Sequence, residues 1–306
     1  QSLLRAGRDQ VLADLRADRY LRYLLVATVA LSAFWFWHRI PNFATRDEFT
    51  RILDALVPYA RAIEEPSLES IRSGFVWGRA PFGATGYLYA LIFLPIVVGA
   101  LLLGQGEAFS AIARPTWEFG HYATWAGTPE WVWTWTIAAV RLTNVVFALG
   151  SVYLTYRLGV LLDDRWTGRL AGLLLTLTFG FLTIAHEGGE DMPALFFFFF
   201  VLFLLIDYVR SGTGRSFLAA SAAGGLAIGF KLTAVPVIAV IGIAWLLRST
   251  RSEGTLLERV RPQLVILGAI IGFLVIVFSF PTTLGGGFDL VVERILGGSV
   301  SRATHT

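Results

Sequence analysis

Residues 80–106 read APFGATGYLYALIFLPIVVGALLLGQG, a run with no Asp, Glu, Lys or Arg. A helix needs about 20 predominantly apolar residues to cross a bilayer core, so hydropathy alone makes this run a span. Seven further stretches lack all four charged residue types: 23–37, 142–156, 170–185, 192–206, 216–230, 232–247 and 262–288. Across the 306 residues, 55% are hydrophobic and 15% charged, against about 25% charged in soluble domains. The pattern predicts an all-α polytopic membrane protein. It excludes a soluble enzyme, a nucleic-acid binder and a disordered chain. The chain has no Cys, which removes disulfides, thiolate metal sites and a Cys nucleophile. Gln1 stands first and the only Met is Met192, as expected of a piece of a longer protein.

The cations set the orientation and decide how the opening stretch is read. Lys231 is the only lysine; the other cations are arginines. Arg5, Arg8, Arg16, Arg19 and Arg22 lie in 1–22, and Arg157, Arg165 and Arg169 in the linker 157–169. Linker 210–215 holds Arg210 and Arg215, and 248–261 holds Arg248, Arg251, Arg259 and Arg261. These 14 of 25 cations belong in the cytoplasm by the positive-inside rule. Spans near 22–40, 133–157, 168–186, 192–210, 215–231, 232–248 and 262–281 satisfy that rule together, provided 84–104 does not cross. The expected architecture is therefore about seven transmembrane helices over 22–281, after a cytoplasmic segment 1–21. The first external loop covers about 41–132. Residues 84–104, broken by Pro95, form a re-entrant or interfacial helix, and 282–306 lie outside, leading into further chain. The acids agree, with 14 of 22 in external segments. The rings around Trp35 and Trp37, and Trp131, Trp133 and Trp135, read as interfacial belts. Gly225-Leu226-Ala227-Ile228-Gly229 has the small-residue spacing of close helix packing.

Candidate chemistry gathers on the external side. Thr45-Arg46-Asp47-Glu48 opens a helix whose Phe49, Ile52, Leu53, Leu56, Val57, Ala60 and Ile63 share one apolar face. That helix is expected on the membrane surface, with Asp47, Arg51, Asp54 and Arg61 on its polar side. Thr45 and Glu48 have the spacing of a capping box, so the acidic pair has a structural reading as well as a catalytic one. In the turn 186–191, His186, Glu187, Glu190 and Asp191 read either as a solvated turn or as ligands for Mg²⁺ or Mn²⁺. Arg39, Arg79 and Lys231 stand at the outer boundary, where an ionisable group is by default a functional candidate. Arg141, inside a span, is expected to pair with backbone carbonyls or a buried carboxylate.

The order of these pieces resembles a GT-C glycosyltransferase, closest to family 39, the protein O-mannosyltransferase type. An Asp-Glu pair (Asp47-Glu48) follows the first span, and Gly-Arg-Ala-Pro-Phe-Gly (Gly78 to Gly83) precedes an apolar helix. Arg141-Leu142 opens a helix running to Tyr156-Arg157-Leu158. Glu190-Asp191-Met192-Pro193 and Gly229-Phe230-Lys231-Leu232-Thr233-Ala234 follow. The chain departs from the family in having Thr45-Arg46 before the acidic pair, Arg79-Ala80-Pro81 where His- or Lys-Pro-Pro is common, and an added external element over 105–130.

The resemblance implies a seven-span catalytic module with juxtamembrane helices in its first external loop. It implies a polyprenyl or dolichyl phosphate sugar donor, with mannose as the sugar, and a hydroxyl acceptor on protein or a lipid-linked glycan. Chemistry is expected on the non-cytoplasmic face of a cell membrane. Asp47 maps onto the catalytic base with Glu48 beside it, and Asp191 onto the second acidic position. Arg79 and Lys231 are the expected phosphate contacts, and Glu190 and His186 further substrate contacts. The rival classes are a transporter or flippase of a lipid-linked substrate, which places ionisable groups near the midplane, and an inactive scaffold subunit of the same fold.

Overall fold

The structure is a computed structural model that describes residues 3–34, 36–77, 83–116 and 118–293. The regular elements among its described residues are all helices, with no strand. The amino-terminal part comprises α1 (Leu3–Ala17), α2 (Arg19–Ser32), α3 (Arg46–Glu64), α4 (Leu68–Phe75), α5 (Ala84–Leu102), α6 (Ser110–Ala113) and α7 (Tyr122–Ala126). There follow α8 (Glu130–Leu162), α9 (Arg165–Thr176), α10 (Phe179–His186), α11 (Asp191–Ser211), α12 (Gly214–Phe230), α13 (Val237–Arg251), α14 (Leu256–Val260), α15 (Pro262–Phe278) and α16 (Pro281–Gly286).

Five helical stretches among the described residues are long and apolar enough to cross a membrane: Ala84–Leu102, Glu130–Leu162, Asp191–Ser211, Leu232–Arg251 and Leu256–Phe278. They become six if α9 and α10, bent by 65° at their junction, count as one. The polytopic all-α expectation holds, while the first of the seven expected spans is shorter than read. α2 stops at Ser32 after 14 residues because the chain beyond it turns. The carbonyls of Phe36 and His38 are taken by the Arg141 guanidinium rather than by helical amides. α12 has 17 residues and ends where Lys231 adopts an extended backbone. Its glycines do what their spacing predicts. A Cβ on Gly225 would meet the Gly272 carbonyl at 2.7 Å, and one on Gly229 would meet Ser279 at 2.4 Å, so α12 and α15 touch through backbone.

Helix α8 is the ruler of the molecule. Its 33 residues rise about 1.5 Å each, or about 50 Å in all, well beyond a bilayer core of about 30 Å. At one end Tyr153 donates to Asp14 at 2.8 Å and Arg157 pairs with the same carboxylate at 3.2 Å. Nearby, Tyr156 at 3.0 Å and Arg169 at 2.9 Å hold Asp18, which also caps α2. Sixteen residues back, roughly 24 Å along the axis, sits Arg141. Beyond it, Trp131 and Trp135 border a cavity with Pro95 and Ala100 of α5 and Leu103 just after it.

Helix α5 starts against the far end of α12, since a Cβ on Gly83 would overlap the Gly229 carbonyl. It ends beside Trp131 and Trp135. It therefore runs from the Arg141 level away from the α1 end, alongside α3, where the Tyr59 hydroxyl donates to the Ala90 carbonyl at 2.8 Å. Phe49, Ile52, Leu53 and Leu56 of α3, Tyr89 and Phe93 of α5, and Val132, Trp133 and Ile137 of α8 form one core. Two expectations change here. Trp133 is fully buried against Phe43 and Phe49 rather than part of a belt. Asp54, read on a polar face, is buried, because α3 is covered by neighbours on more than its apolar stripe.

Candidate functional site

The site is built on a buried ion pair that joins residues 93 positions apart. Arg141 Nε donates to Glu48 Oε1 at 2.8 Å and Nη2 to Glu48 Oε2 at 2.9 Å, with exposures of 1% and 0%. Nη1 holds the Phe36 and His38 carbonyls at 2.7 and 2.8 Å. Glu48 accepts two further bonds, from the Gly188 amide at 2.8 Å and the Ala44 amide at 2.8 Å. A carboxylate with four donors has no capacity left for a substrate. The capping box is half formed: the Glu48 amide reaches Thr45 Oγ1 at 3.2 Å, but the Glu48 side chain turns to Ala44 and Arg141 instead of the Thr45 amide.

This lock positions the turn after α10. Asn144 Nδ2 donates to the Glu187 carbonyl at 2.5 Å, and the buried Tyr89 hydroxyl to the Gly189 carbonyl at 3.2 Å. A Cβ on Gly188 would lie 2.7 Å from Val140 Cγ2 and 3.0 Å from Glu48 Oε1, whereas Gly189 has nothing within 4 Å. Gly188→Ala is accordingly expected to displace the turn and lower both activity and thermal stability, while Gly189→Ala behaves as wild type. Parallel melting and transfer assays on the two variants check this, and equal behaviour would contradict it.

The turn and the start of α3 enclose a small cavity lined by Asp47, Arg51, Glu187, Glu190 and Asp191 with Thr45 and Ile184. Asp47 is exposed at its edge. Arg51 Nε pairs with Glu190 Oε2 at 2.7 Å, and Lys231 bonds the Asp191 carboxylate. Thus Asp47, Glu190 and Asp191 converge as expected, and Lys231 is brought to them as the partner of Asp191. His186 ends α10 but does not line the cavity. Arg79 lies outside the described residues. Among those residues no group of three His, Cys, Asp or Glu side chains is arranged to hold a metal ion. Two of the turn's three carboxylates are taken up by Arg51 and Lys231.

Sequence reasoning missed Asn144 and Tyr89 as parts of this site, and it named Glu187 and Arg51 without the contacts they make here. Arg141 carried a signal, as a charge deep in a span; Asn144 and Tyr89 had none. Burial pushes the Glu187 carboxyl above its ordinary value of 4.5, and the nearby Glu48 charge adds to the shift. A carboxyl raised in the folded state binds more protons there than when unfolded. Its effect on stability is therefore absent at acid pH and becomes unfavourable as pH rises through 4.5 towards the folded value. Glu187→Gln is expected to melt with the wild type at low pH and progressively above it as pH rises. A constant difference across the series would contradict the assignment.

The chain is thus an all-α polytopic bundle whose carboxylates and cations meet at one end, where the start of α3 faces the turn after α10. Residues 132–278, just under half of the chain, match the family model described as dolichyl-phosphate-mannose-protein mannosyltransferase, and that segment is this family's domain. The enzyme is a mannosyltransferase-type glycosyltransferase with polyprenyl-phosphate mannose as donor. Arg141, Glu190, Asp191 and Lys231 fall within the matched residues; Asp47 and Glu48 precede them. A search of curated proteins returns no match.

Proposed function

We propose that the chain transfers mannose, with inversion, from a polyprenyl phosphate to a hydroxyl acceptor at the external membrane face, with Asp47 as general base. The acceptor oxygen attacks the anomeric carbon, its proton passes to Asp47, and the bond from that carbon to the phosphate oxygen breaks. Lys231 and Arg79 offset the charge that develops on the leaving phosphate, the kind of preorganised electrostatic effect that commonly dominates such steps. Asp191 holds Lys231 in place, and Glu48 acts through position, fixing the first turn of α3 from behind.

The observation that carries this reading is the exposed Asp47 at the edge of the acidic cavity, one residue from the four-bonded Glu48 and across the cavity from the Asp191–Lys231 pair. The amino terminus and the linkers 157–169, 210–215 and 248–261 face the cytoplasm in this reading. Helix α5 does not cross, in keeping with its course from Gly83 beside Gly229 to Trp131.

The test uses full-length protein in sided vesicles with labelled polyprenyl-phosphate mannose and a reporter in 157–169. The expected product has the anomeric configuration opposite to the donor and forms on the side away from the reporter. Retention of configuration, or product on the reporter's side, would overturn the reading.

A further inference from the structure

Thr45 borders two cavities. On one side lies the acidic cavity of Asp47; on the other lies a larger one of about 500 Å³, in the range of small-molecule sites, lined by Arg39, Asn42, Phe43, Arg46, Tyr122 and Trp125. Its chemistry is opposite to that of its neighbour. No carboxylate lines it, and among the described residues neither Arg39 nor Arg46 forms an ion pair. Tyr122 and Trp125 stack with centroids 6.0 Å apart and planes inclined by 30°, and Tyr122 is 63% exposed.

The walls are held firmly. Phe43 packs on Phe49 and Trp133. The Trp133 indole donates to the Trp125 carbonyl at 3.2 Å. Arg39 follows directly on the segment whose carbonyls Arg141 grips, and its backbone is left-handed, with φ 62°. A non-glycine residue held there is uncommon.

We propose that this cavity binds the acceptor, and that the acceptor is a saccharide carrying a negatively charged group. This rests on the transferase reading above. Planar guanidinium groups match phosphate and carboxylate oxygens in paired hydrogen bonds. An exposed aromatic pair offers a flat apolar face to the C–H face of a pyranose ring, while its edges stay wet. The anion is gripped by Arg39 and Arg46, the ring lies on Tyr122 and Trp125, and the attacking hydroxyl extends past Thr45 to Asp47. The donor arrives from the opposite side. Its phosphate meets Lys231, whose neighbour Phe230 borders an apolar groove with Phe147, Phe197 and Ser279. Acceptor and leaving group are thus placed on opposite sides of the anomeric carbon, as an inverting displacement needs. The external element 105–130 supplies Tyr122 and Trp125, so it sets specificity for the acceptor.

Equilibrium binding of phosphorylated mannobiose and of neutral mannobiose to full-length protein in nanodiscs, without donor, tests the site apart from turnover. The phosphorylated sugar is expected to bind tighter. Arg39→Asn, which suits the left-handed backbone, is expected to weaken it about ten-fold or more, as loss of a charged hydrogen bond does, and to leave the neutral sugar unchanged. Tyr122→Ala weakens both. In transfer assays the two variants raise KM for the acceptor and leave KM for the donor unchanged. Equal binding of the two sugars, no effect of either variant, or preference for a Ser/Thr peptide over both sugars would overturn the proposal. Binding as expected with no transfer by wild type would instead overturn the transferase reading.

Discussion

Arg141→Ala is expected to lower stability by about 3–5 kcal/mol, the usual cost of removing one partner of a buried ion pair, and to abolish transfer. The size follows from what is left behind. Glu48 has no exposure to water and would be left with two backbone amides as its only partners. The Phe36 and His38 carbonyls lose their donor at the same time. A Lys at 141 offers a point charge where the pair needs a planar fork, so Arg141→Lys is also destabilising, by less. Pairing Arg141→Met with Glu48→Leu separates the two consequences. Apolar replacement of both partners restores much of the stability. Activity stays lost, because Gly188 no longer has the carboxylate that anchors the acidic turn. Thermal unfolding and transfer assays on the set decide it; a melting temperature unchanged in Arg141→Ala would show that the pair does not hold the site.

The sequence disclosed the features that depend on neighbours along the chain. The spacing of Phe49, Ile52, Leu53 and Leu56 made α3 readable, and Thr45 marked its start. Gly225 and Gly229 announced a close helix contact before its partner, α15, was known. Charge scarcity predicted a polytopic fold, and the helix over Ala84–Leu102 that hydropathy marked is long and apolar enough to cross. What could not be read were contacts between distant residues. Nothing near Glu48 says that its partner is Arg141, and nothing near Tyr89 or Asn144 says that they hold carbonyls of the 187–189 turn. Asp191 and Lys231 were both expected at the site in separate roles, yet the fold places them in contact. The early end of α2 has the same origin, since a long-range guanidinium competes for carbonyls that local propensity assigns to the helix.

Asp47→Asn carries the other large effect. The substitution keeps the shape while removing the negative charge and the ability to take a proton. Asp47 is exposed at the second position of α3, so the fold is expected to melt as wild type. General-base assistance contributes about 10²–10⁴ in rate, and the loss should fall on kcat with KM for donor and acceptor nearly unchanged, because the base acts in the transition state. Glu48→Gln fails differently, losing stability together with rate, since it disturbs the Arg141 lock. The decisive measurement is single-turnover transfer from labelled polyprenyl-phosphate mannose by full-length wild type and Asp47→Asn at saturating donor. A fall in rate of about a hundred-fold or more, with melting temperature unchanged, is the expected result; transfer by Asp47→Asn at a near-normal rate would contradict the assignment of Asp47 as the base.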